Sequence, residues 1–93
     1  MSLENAAAVT MNRINLVFAR YEAALCTVLR DETVPHVRRE EAAQEGVIVE
    51  ANFRKCRNLY EMDKDLFIDA CGEVHAMDDA DILQNFLLCE VQV

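Results

Sequence analysis

The chain has no tryptophan, one proline and two glycines in 93 residues. So little turn-forming material argues against a β domain of many short strands, and a hydrophobic share of 53% argues against disorder. No apolar run approaches the ~20 residues that cross a bilayer, and the amino terminus lacks the basic segment and apolar stretch of a secretory signal. Neither a membrane span nor secretion is expected, and Met1, Ser2 and Leu3 are given no functional weight. Glycine-rich phosphate loops and serine-centred elbows are missing too. Cys26, Cys56, Cys71 and Cys89 are scattered beside apolar residues with no CxxC pair, so they read as buried, reduced thiols in an intracellular protein, cytoplasmic or nuclear.

What remains is helical material, enough for a single helical domain over residues 1–93. In the first segment, residues 3–30, Met11, Ile14, Phe18, Tyr21, Leu25 and Val28 recur at steps of three and four, with Ala7 extending the stripe backwards. That is the spacing of a coiled-coil seam, and it suits a helical hairpin equally. "RDETVPH" interrupts it, because Pro35 biases Val34 away from helix and Thr33 offers a hydroxyl near the next helix start. The second segment runs to "DAC", with Val49, Phe53, Cys56, Tyr60 and Phe67 on its stripe. Its weak point is Gly46 in a β-branched context, where a break would give four helices instead of three; the pattern favours continuity. A hairpin folded about Thr33 places Gly46 and Ala42 opposite Tyr21. Gly72 stands where a left-handed cap would end this segment. Asp78 then caps a short third helix whose apolar face, Ile82, Leu83, Phe86, Leu87 and Cys89, is expected to pack across the hairpin. The expected fold is all-α: an antiparallel helical hairpin closed by a short third helix, a three-helix bundle.

The first helix carries apolar residues on a second side. Val9, Leu16, Ala19, Ala23 and Cys26 gather opposite the Phe18 stripe, bordered by Arg13 and Arg20. A short third helix can hardly cover both faces, so this patch is the expected partner-binding site, most simply for a second copy in a twofold dimer and otherwise for another helical subunit.

Charge is distributed as unevenly. Up to Tyr60 the two signs cancel; beyond it Lys64 alone opposes nine acidic residues, so the net charge of −8 belongs to the carboxyl-terminal third. Asp63, Asp65, Asp69, Asp78, Asp79 and Asp81 form the expected acidic surface, which repels nucleic acid and would steer the chain toward a basic protein.

Candidate chemistry fails on inspection. "DKDLFIDACGEV" starts like a calcium loop, but Ile68 occupies the place of its turn glycine and Val74 that of its last carboxylate. Cys71 and His75 are four apart without a second ligand pair, and His36 has no nucleophile beside it. The expectation is therefore no catalytic residue, metal or cofactor. It is a non-enzymatic helical protein–protein interaction module or small subunit of a larger assembly. The alternative is an acidic stoichiometric inhibitor, antidote or small chaperone that binds a basic surface.

Overall fold

The computed structural model describes residues 2–89, and every described element is helical. Helix α1 spans Leu3–Arg30, α2 His36–Met62, α3 Lys64–Cys71, and α4 Asp79–Ile82; a 3-10 turn, Gly72–Ala76, joins α3 to α4, and α4 runs on into a π turn, Leu83–Leu87. Ser2 starts α1, its side chain accepting from the Asn5 amide at 3.2 Å. At the hairpin turn, Asp31 accepts from both the amide and the hydroxyl of Thr33, at 2.9 and 2.6 Å. These bonds, the hydroxyl's first, hold the Asp31 carboxyl below the usual carboxylate range. The Thr33 side chain is thus spent on the turn, and α2 begins behind Pro35 with no side-chain cap.

Helix α2 is continuous through Gly46, as the stripe implied, and the chain breaks at Asp63 instead. Asp63 accepts from the amides of Asp65 and Leu66 at 3.0 and 3.1 Å, so the residue that opens the calcium-like sequence is a helix cap. The bundle therefore has four helices, with the fourth made at Asp63. Gly72 is right-handed, at φ −60° and ψ −23°, and not the left-handed cap its position suggested, because α3 tightens directly into the 3-10 turn. Asp78 caps α4 by accepting from the Asp81 amide at 2.9 Å.

The core sits at one end. Ala7, Met11, Ile14 and Val17 of α1 meet Val49, Cys56 and Leu59 of α2, and Phe67, Cys71, Val74, Ile82 and Leu87 close over them. Phe18 stacks on Phe53 at 4.1 Å between ring centroids, and Tyr60 meets Phe67 edge-on at 5.3 Å. Asn52, buried among these residues, donates to the carbonyls of Leu87 at 2.9 Å and Cys89 at 3.1 Å, satisfying the end of the π turn. From residue 18 to residue 48 no residue is buried. There the molecule is two helices and a turn, within overall dimensions of 48 × 20 × 18 Å. No described helix is long and apolar enough to cross a membrane.

The hairpin register differs by one helical turn from the equidistance rule. A Cβ on Gly46 would lie 2.6 Å from Leu25 Cδ2, so the glycine makes room for Leu25, while Tyr21 reaches past it to donate to Glu45 at 2.8 Å. Burial first, and then that carboxylate, push the Tyr21 phenol up to about 12.

Candidate interaction surface

Five elements pack on the inward side of α1, and its outward side is left to solvent. Val9 is 52% exposed and Leu16 44%, and Ala19, Ala23 and Cys26 are exposed as well, so neither α3 nor α4 covers the patch. The patch is longer than its apolar members. Asn5, Val9, Asn12, Leu16, Ala19, Ala23 and Cys26 follow one another at alternating steps of four and three, all exposed and none charged. This is a second heptad-like stripe on the same helix, roughly 30 Å long at ~1.5 Å per residue, with Leu16 at its middle. Hydrophobicity alone hides Asn5 and Asn12; absence of charge is the signal that would have found them.

The arginines bordering the stripe are already engaged. Arg13 pairs with Asp79 at 2.5 Å and donates to the Met77 carbonyl at 3.4 Å, and Arg20 grips the other oxygen of Asp79. The clasp fixes the start of α4 against α1. Arg20, with Arg13 beside it, holds the Asp79 carboxyl below its ordinary range.

The acidic surface divides by use. Asp63 and Asp78 cap helices and Asp79 is clasped by two guanidinium groups, whereas Asp65, Asp69 and Asp81 are exposed with no ion pair among the described residues. Half of the carboxylates read as a partner surface are thus committed to the fold.

The cysteines also divide. Cys56 and Cys71 are buried and in hydrogen-bonding contact; Cys26 and Cys89 are exposed, which corrects the reading of all four as buried. The Cys71 sulfur accepts from the Cys56 thiol, and that bond together with burial keeps Cys56 protonated far above the ordinary thiol range. His75 donates through Nδ1 to the Gly72 carbonyl and does not approach Cys71 as part of a metal cluster; no group of three metal-binding side chains gathers among the described residues.

Compared with protein-family models, with curated proteins and with solved structures, the chain gives no match. Its surface is therefore the ground for a functional reading.

Proposed function

We propose that the chain is a non-enzymatic helical interaction module that assembles through the outward stripe of α1, most simply with a second copy of itself. One observation carries the reading: a helix face of about seven positions, all exposed, holds no charge in a chain whose net charge is −8. Depletion of charge at the centre of a face with charge at its rim is the composition of an interface, not of a solvated helix. Covering what remains exposed of Leu16 and Val9, about half of each, would contribute roughly 1 kcal/mol each, and Ala19 and Ala23 permit close approach of a second helix. A twofold axis near Leu16 would set Val9 of one copy against the small residues of the other. The proposed setting is intracellular, where the four thiols stay reduced.

Leu16→Glu would place two like charges beside that axis. The wild-type chain is expected to dimerise, with a Kd on the order of 1–100 µM, and the variant to be monomeric with unchanged helical circular dichroism. Light scattering across concentration reads this. An apolar contact also persists in high salt, whereas an acidic inhibitor would lose its basic partner as the Debye length shortens. A wild-type chain that stays monomeric throughout would sink the homodimer reading.

A further inference from the structure

A cavity of about 290 Å³ opens between α1, α3 and the 3-10 turn, lined by Ala6, Val9, Thr10, Ile68, Gly72 and His75. Its size is about twice that of a cavity that holds benzene, and it sits at the small end of ligand sites generally. No charged side chain lines it.

Two features make it more than a gap. The first is Gly72. Its backbone is in the ordinary right-handed region, and a Cβ there would meet only Ile68 Cγ2, at 3.4 Å. Neither conformation nor crowding asks for glycine, and a side chain would take up cavity space. The second is Thr10, only 3% exposed as a residue, which lines the cavity and whose hydroxyl makes no hydrogen bond among the described residues. A hydroxyl reached from the cavity in this way can donate to or accept from an occupant. The walls are mostly apolar, so water there is readily displaced by an apolar occupant. At the mouth stands His75. A carbonyl oxygen can only accept, so Nδ1 carries the proton bonded to Gly72, and the neutral ring keeps Nε2 as an acceptor.

We propose that this cavity binds a small, uncharged, mainly apolar molecule of one or two rings that carries a single ring N–H or hydroxyl. The apolar body fills the space that Gly72 leaves open. Its polar group partners the Thr10 hydroxyl or Nε2 of His75. An ionised ligand is excluded because nothing in the cavity compensates its desolvation. The site shares Val9 with the outward stripe of α1, but it does not depend on the assembly reading.

Indole tests this, with 1-methylindole as the same shape without the donor. Titrated into the full chain and followed by amide NMR, indole should bind saturably, with shifts concentrated at residues 6–10 and 68–75 and a Kd roughly between 10 µM and 1 mM for so small a ligand. The methylated analogue should bind about five- to tenfold more weakly. Thr10→Val should weaken indole by a similar factor when Thr10 is its partner, with little change in the melting temperature of the free chain, because the two side chains have nearly the same shape. Gly72→Leu should abolish binding by filling the cavity; if that variant unfolds, Ala6→Leu serves the same purpose. The proposal is overturned if indole does not saturate, if its shifts spread along Leu16 to Cys26, or if both ligands bind wild type and the cavity-filling variant alike.

Discussion

Asn52 is the buried amide on which the carboxyl-terminal elements hang. Its Nδ2 donates to the carbonyls of both Leu87 and Cys89. Asn52→Leu would strip both partners at once and should cost about 2–3 kcal/mol in urea unfolding, with the largest loss of amide protection in residues 83–89. Tyr21 offers a second residue-scale test. Its folded pKa is raised above the unfolded value of about 10, so the stability linked to it is fully present below pH 10 and is lost as pH rises toward about 12. Absorbance titration should show one of the two tyrosines ionising late, and Tyr21→Phe should remove both that step and its share of the alkaline destabilisation. Single residues were the least legible part of the sequence. Asp63, Asp78 and Asp79 are identical in composition to Asp65, Asp69 and Asp81, and only position relative to a helix start or an arginine separates the structural carboxylates from the free ones. Asp78 could be read as a cap because an apolar staple flanks it. Asp63 could not, because the apolar stripe continues from Tyr60 to Phe67 across the break at a spacing of seven, two helical turns, and so conceals it.

At the scale of elements, α1 was legible from end to end, since one stripe at steps of three and four needs a single helix to keep its face. The continuity of α2 followed from the same pattern despite Gly46. The register did not, because a stripe fixes which face a helix turns inward and not how far two helices slide along each other; Leu25 lies nearest the glycine, with Tyr21 beside it. The atom that a new Cβ would strike is the mobile end of Leu25. Gly46→Ala should therefore lie within about 0.5 kcal/mol of wild type, the ~1 kcal/mol gain in helix propensity being offset by a shifted Leu25 rotamer. Gly46→Leu has no such escape and should destabilise by about 1–3 kcal/mol through overpacking, read as a lower melting temperature with unchanged helix content. The π turn after α4 had no sequence signal that periodicity detects, because it adds one residue to a turn in a segment that is apolar all round.

For the whole molecule, sequence patterning located the hydrophobic stripe of α1 without showing how much of it would be covered. The stripe from Ala7 to Val28 is uniform in the sequence, yet burial ends at Val17, because α3 and α4 reach only the end of the hairpin away from its turn. The outward stripe was legible in part, through Val9, Leu16, Ala19, Ala23 and Cys26, and its uncharged extension emerged only once exposure was known. This one-sided burial also governs how the chain breathes. Opening the turn end costs little more than a few half-buried contacts, whereas exposing Val49, Cys56 or Leu59 requires lifting α3 and α4 as well. Amide exchange should accordingly run as a gradient, fastest around residues 28–40 and slowest near residues 52–59, where it should approach the free energy of global unfolding. A flat profile, with the turn end as slow as the core, would contradict the burial pattern. The frayed end thereby acts as an internal reporter: any second helix settling along α1 beyond Phe18 would slow exchange there first, while the already protected end of the rod would barely register the event.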